Sequence, residues 1–157
     1  MSLFTFGYEG LSIDQFTARL KKAGVKVVID VRELPLSRKK GFSKTAFGEA
    51  LKRAGIVYSH QPVFGCPKPI RNQYKADGNW KRYEKDFNAY LTNQSAALAD
   101  LVAFSKTTKA CLVCFEADFN FCHRSLVTRA TTAAGGAAVI HLTATGEKAD
   151  RLLELAA

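Results

Sequence analysis

The chain has no apolar run long enough to span a bilayer. Its opening MSLFTFGYEG has neither the charged flank nor the apolar core of a secretion signal. A membrane or exported protein is therefore not expected, and the cytoplasm is the predicted compartment. Cysteine is scarce, at four residues in 157. In a reducing compartment such thiols are expected to be buried, metal-binding or reactive rather than disulfide-bonded. Glycine-rich phosphate loops of the Walker and GxGxxG kinds are missing, which removes two common nucleotide-binding designs. Internal repeats and low-complexity tracts are missing too, which removes solenoids and disordered arrays. Acidic residues are in deficit, 14 against 23 Lys and Arg, for a net charge of +9. That balance favours an anionic partner: nucleic acid, a nucleotide or another phosphorylated small molecule.

Apolar residues make up 47% of the chain, enough to bury a core, and the length suits one domain over 1–157. The positive charge is uneven. Residues 38–40 read RKK, and 68–85 read KPIRNQYKADGNWKRYEK, where Tyr74, Trp80 and Tyr83 interleave with cations. Aromatic faces beside cations suit single-stranded nucleic acid; a solvated basic surface is the plainer reading.

LFTFG (3–7) reads as a strand, and Ser12 caps a helix that Gly24 stops. VKVVIDV (25–31) suits a strand buried on both faces. Ser43 caps a second helix ended by Gly55, and IVYSH (56–60) is a third strand. Residues 61–79 hold three of the four prolines and read as a long loop. Helix resumes near Trp80 and runs to Ser105 with a break around Asn93. Then come a fourth strand (KACLVCF), a helix from Cys122 to Ala134, a fifth strand (AAVIHL) and a terminal helix from Gly146.

This alternation predicts an α/β three-layer fold with an open, mostly parallel sheet of about five strands. In the order 3-2-1-4-5, a ligand would sit beyond the carboxyl ends of the strands. Those ends carry Gly7-Tyr8-Glu9, Asp30-Val31-Arg32, and Cys114 with Glu116.

The densest chemistry is CFEADFNFCHR, residues 114–124. At a helix start, Cys122 is a candidate nucleophile favoured by the helix dipole and by Arg124. Glu116 and His123 are candidate proton carriers. Cys114 shares a strand face with Glu116 by period two, although a core cysteine is its plainer reading. Asp30 and Arg32 share a side: Arg32 is either a phosphate clamp or half of a structural ion pair. Arg124 and Arg38 are further phosphate candidates, and Tyr8 would line the wall. The spacing of His60, Cys66, Cys114, Cys122 and His123 is poor for zinc, so no metal or cofactor is expected. A phosphatase-type cysteine loop would need Arg six residues after Cys114, where the chain has Asn120.

TFGYEG, VVIDVRELPLSRK, GFSKTAFGEALKRAGIVYSHQPVFG, LVCFEADFNFCHRSLVTRA and VIHL together resemble the domain-of-unknown-function family 488. The most specific parts are D-V-R and C-x-E-x(5)-C-H-R. The resemblance implies an α/β fold of unassigned activity. It implies shared polar positions at Tyr8, Asp30, Arg32, Ser37, His60, Cys114, Glu116, Cys122, His123 and Arg124. Glu9 and Phe64-Gly65-Cys66 depart from the family pattern, the latter adding a third thiol near the expected site. The expected function is therefore a basic cleft for a phosphate-bearing ligand with cysteine chemistry. A non-catalytic nucleic-acid-binding module and a protein-interaction domain with a structural polar network are the alternatives.

Overall fold

The computed structural model describes residues 1–150. The elements are β1 (Ser2–Gly7), α1 (Ile13–Lys22), β2 (Val27–Asp30), α2 (Lys44–Arg53), β3 (Val57–His60), α3 (Lys68–Asp77), α4 (Trp80–Thr92), α5 (Ser95–Thr107), β4 (Ala110–Cys114), α6 (His123–Ala133), β5 (Ala138–Leu142) and β6 (Glu147–Ala149). They form an open α/β sheet in the order β3-β2-β4-β1-β5-β6. All pairs are parallel except β5 with β6.

Two apolar layers sandwich the sheet, and period two sorts the strand residues between them. On β4, Cys111 and Val113 join Phe6, Phe16, Phe47 and Leu51 beneath α1 and α2. Ala110, Leu112 and Cys114 join Phe87, Leu101 and Leu126 beneath α4, α5 and α6. Cys111 and Cys114 spell C-x-x-C, but in a strand that spacing sends their side chains to opposite faces, so they do not act together.

Several expectations are corrected. The order 3-2-1-4-5 fails because β4, not β1, lies beside β2. Every residue of β4 is buried, and a strand apolar on both faces belongs at the centre of a parallel sheet. The expected loop at 61–79 contains a 3-10 turn at Pro62–Phe64 and all of α3. Its prolines are starters rather than breakers: Pro67 is the N-cap and Pro69 stands in the first turn, where no helical N–H partner is lost. Gly78, at φ 61°, then closes α3 in the left-handed region. The terminal helix expected from Gly146 is instead β6 over Glu147–Ala149, and its remainder lies outside the described residues. Asp150 ties this edge down through Arg129 and His141.

Both predicted serine positions are N-caps, by different means. Ser12 and Gln15 form a reciprocal capping box. The Ser43 side chain makes no bond to its own helix; its hydroxyl donates to the Ser37 carbonyl and accepts from the Ser37 N–H, folding the 37–43 loop back on itself. No described helix is long and apolar enough to cross a membrane.

Candidate functional site

The new strand order keeps the expected place of the site, because the carboxyl ends of β1, β2 and β4 still adjoin. The β1–β4 ladder runs past the strands: Tyr8 N–H donates to Cys114 O at 3.2 Å and Glu9 N–H to Phe115 O at 2.8 Å. The Glu116 backbone then crosses directly over Gly7, where a Cβ would collide with the Glu116 carbonyl. Glu9 secures the crossing by accepting from Ala117 N–H at 3.0 Å. Asp118 caps a 3-10 turn at Phe119–Phe121, which returns the chain to Cys122, the N-cap of α6.

This path gathers three groups separated in sequence. The Cys114 and Cys122 sulfurs and a Glu116 carboxylate oxygen all lie within 4.8 Å of one another. Both thiols donate to Glu116 Oε2, at 3.3 and 3.4 Å. Beneath them Arg124 is buried to 0% exposure. Its Nη1 donates to Cys114 Sγ at 3.0 Å and to Glu116 O at 2.5 Å, and Nη2 donates to Ala117 O at 3.4 Å. None of the ion pairs among the described residues includes Arg124. Its Nε is the only buried side-chain nitrogen or oxygen among them without a hydrogen-bond partner. Burial works against its charge, but the sulfurs of Cys114 and Cys122 facing it hold its pKa above the ordinary value. Burial, and then the neighbouring Cys122, push the Cys114 thiol well up.

His123 sits beside the pair. Its Nε2 lies 2.7 Å from the Val31 carbonyl, which can only accept, so this nitrogen carries the proton. In the neutral ring Nδ1 is then the open lone pair, 3.9 Å from Cys122 Sγ. Phe87 fixes the ring edge-on at 5.6 Å.

Asp30 and Arg32 form a bidentate ion pair, with Nη2–Oδ2 at 2.7 Å and Nε–Oδ1 at 2.9 Å. Nη1 also donates to Phe42 O and Tyr8 OH, and Tyr58 OH donates to Asp30. The Arg32 guanidinium lies 5.4 Å from the Tyr8 ring centre. This network locks β2 to the loop after it, and Arg32 meets the cleft while engaged on several sides. His60 serves the same loop, with its Nε2 2.7 Å from Arg32 O. Arg124 touches no solvent and so meets no ligand directly; it backs the thiols instead. Arg38 is exposed and lies outside the cleft lining.

Above the thiols opens a cleft of about 570 Å³. Its floor is Cys114, Glu116, Cys122 and His123, and Cys66 and Tyr83 close one side. Arg71, Tyr74 and Lys75 reach it from α3, where i, i+3 and i+4 share one helix face. Arg71 also pairs with Glu33 at 3.5 Å. Leu34, Leu36, Phe115 and Phe121 rim the opening. They are four of the seven large apolar side chains exposed among the described residues, with Phe115 46% and Phe121 50% exposed. Sequence reasoning flagged the basic 68–85 stretch without singling out Arg71 and Lys75, and it missed Phe115 and Phe121. The i, i+3, i+4 spacing on α3 was readable, but only once 68–77 is known to be helical.

The profile of the family described as "Domain of unknown function DUF488" matches residues 12–131. The chain belongs to that family. No curated protein and no solved structure matches it. Membership agrees with the resemblance carried by D-V-R and C-x-E-x(5)-C-H-R, and it assigns no activity.

Proposed function

We propose that the cleft receives a phosphate-bearing ligand with an aromatic ring, a nucleotide or the end of a nucleic-acid strand, and presents the Cys122 thiol to it. The observation that carries this reading is the gathering of three unlike surfaces in one cleft. Exposed Phe115 and Phe121 offer faces for a ring, Arg71 and Lys75 offer charge for phosphate, and the floor holds the thiols. The amino end of α6, capped by Cys122, adds positive potential at that floor. Exposed apolar groups concentrated at one opening favour a ligand site over chance exposure.

Each floor residue has a role. Cys122 is the reacting thiol, because it lines the cleft and two proton acceptors face it, Glu116 Oε2 and His123 Nδ1. Cys114 shares Glu116 with it from the strand side. Arg124 is a positioning residue that fixes Cys114 and the Glu116 backbone.

The test is a binding titration with a nucleotide, a single-stranded oligonucleotide and inorganic phosphate over a salt series. It follows the fluorescence of Trp80, whose ring lies 5.6 Å from that of Phe121. Affinity is expected to fall with salt and to drop roughly tenfold or more in Arg71→Ala with Lys75→Ala. Binding indifferent to salt and to both substitutions would reject a phosphate site here.

A further inference from the structure

We propose that Cys114, Glu116 and Cys122 form a site for one zinc-type divalent cation, with a fourth coordination position facing the cleft. The inference rests on the reading of this floor as the functional centre, and in the metal-loaded chain it makes Cys122 a bound thiolate rather than a thiol donating to Glu116.

The geometry comes first. A tetrahedral ion with ordinary Zn–S and Zn–O bond lengths keeps its sulfur and oxygen ligands roughly 3.6 Å apart. Here the Glu116 Oε2 separations from the two sulfurs are 3.3 and 3.4 Å, so that oxygen needs to draw away from each sulfur by only a few tenths of an ångström, and all three donors lie within 4.8 Å of one another. The donors also converge from a strand end, a loop and a helix N-cap, so no single segment must bend to admit an ion. Glu116 is exposed and can adjust; the two cysteines are fixed by the core.

Charge follows. Two thiolates and a carboxylate carry three negative charges, and a divalent ion with Arg124 carries three positive ones. The set is neutral only with both cations present. This accounts for a fully buried arginine whose side-chain partner is a sulfur rather than a carboxylate. Its N–H to Cys114 Sγ is the kind of outer hydrogen bond that orients a metal-bound thiolate. Soft sulfur donors with one carboxylate select zinc-like ions over magnesium or calcium. Three protein ligands with one open position is the arrangement of zinc sites that act on a substrate. The ligand spacing, two residues and then six, is not a common zinc-finger pattern, which is why spacing alone points away from metal.

Binding displaces the two thiol protons to solvent, so uptake should release about two protons per ion. The reduced chain, stripped with a chelator, is dialysed against Zn²⁺ without nucleotide, and bound metal is measured by elemental analysis. Cd²⁺ is used in parallel for its thiolate charge-transfer absorption. One ion per chain is expected, with loss in Cys114→Ser and in Cys122→Ser and retention in Cys111→Ala, whose side chain lies on the other face of the sheet. Glu116→Gln, at an exposed position, should fold normally and bind at least about tenfold more weakly. No uptake by the reduced wild type, or equal uptake by wild type, Cys122→Ser and Glu116→Gln, would overturn the proposal. The nucleotide titration is run on the stripped chain as well. Zinc uptake without nucleotide binding upholds the cation site and removes the ligand reading. Nucleotide binding by a chain that takes no zinc does the reverse.

Discussion

Two polar clusters in this molecule are both largely buried and differ in access. One joins Thr5, His141, Asp150 and Arg129. Thr5 Oγ1 is 2.6 Å from His141 Nδ1, His141 Nε2 is 2.7 Å from Asp150, and Arg129 Nη2 is 3.0 Å from the same carboxylate. Phe119 stacks on the imidazole at 3.9 Å. The hydroxyl–imidazole–carboxylate order resembles a hydrolase triad, yet Thr5 and His141 are fully buried, and Arg129 is the member that meets a surface cleft. The other cluster joins Cys114, Glu116, Cys122 and Arg124. It opens on a cleft, pairs a buried cation with sulfur and leaves Arg124 Nε without a partner. The contrast teaches that side-chain order does not separate function from structure. Satisfaction and access do: a sealed network with matched partners stabilises, and an open, under-matched one is available to a ligand.

The sharpest way to break this comparison is Asp150→Ala. It leaves buried His141 and Arg129 facing each other without a counter-charge and should cost roughly 3–5 kcal/mol in urea unfolding. Zinc uptake by the surviving folded fraction should be unchanged. A mild effect would mean that the network is not the anchor described. Gly7→Ala comes next. Its Cβ would strike the Glu116 carbonyl, so the loop must shift at a cost of about 1–3 kcal/mol, and zinc affinity should fall with it. Normal metal binding by this variant would show that the loop does not set the donor geometry.

Acidification probes the sealed side. Burial, working against the Asp150 hydrogen bond, holds the His141 pKa below its ordinary 6.5. Burial tends to raise Asp150, but His141 and Arg129 together hold it below the usual carboxylate range. Both folded values are depressed, so in each case the unfolded chain takes up a proton first and stability falls as pH falls. Below pH 7 the His141 contribution to unfolding stability should be lost progressively, as the unfolded chain's imidazole takes up its proton before the folded one does, read by urea unfolding across pH 7 to 5. The acidic facing group is Asp150, with Arg129 and Arg124 opposing protonation. An equal loss in His141→Asn would assign the effect to other groups. The smallest expected change is in Cys122→Ser, at under about 1 kcal/mol of stability, since the hydroxyl can still donate to Glu116. Its loss should be of metal and thiol chemistry instead, and a large stability loss would move Cys122 to the structural side of the comparison.

Part of this was legible in the chain. The β-branched run VVID, the caps Ser12 and Ser43 and the glycine stops at Gly24 and Gly55 marked their elements correctly, because each acts within a few residues. Prolines misled at 67–69, since the same ring that breaks a helix interior also starts a helix. The edge strand β6 was illegible, because three residues hold it by partners on β5 and α6. At the site, the sequence set Cys114, Glu116, Cys122, His123 and Arg124 in one stretch. It did not show that Arg124 lies beneath the thiols or that Arg71 and Lys75 face them from α3.

By itself the sequence determined the family, the α/β alternation and the crowded junction at the end of β4, because motif, periodicity and capping are local properties of the chain. The tertiary structure alone decided which groups from separate elements meet, which are sealed and which are open. It set β4 between β2 and β1 and bent the loop over Gly7 until two thiols and a carboxylate met. Convergence in space depends on strand order and packing, and neither is written in the spacing of residues along the chain.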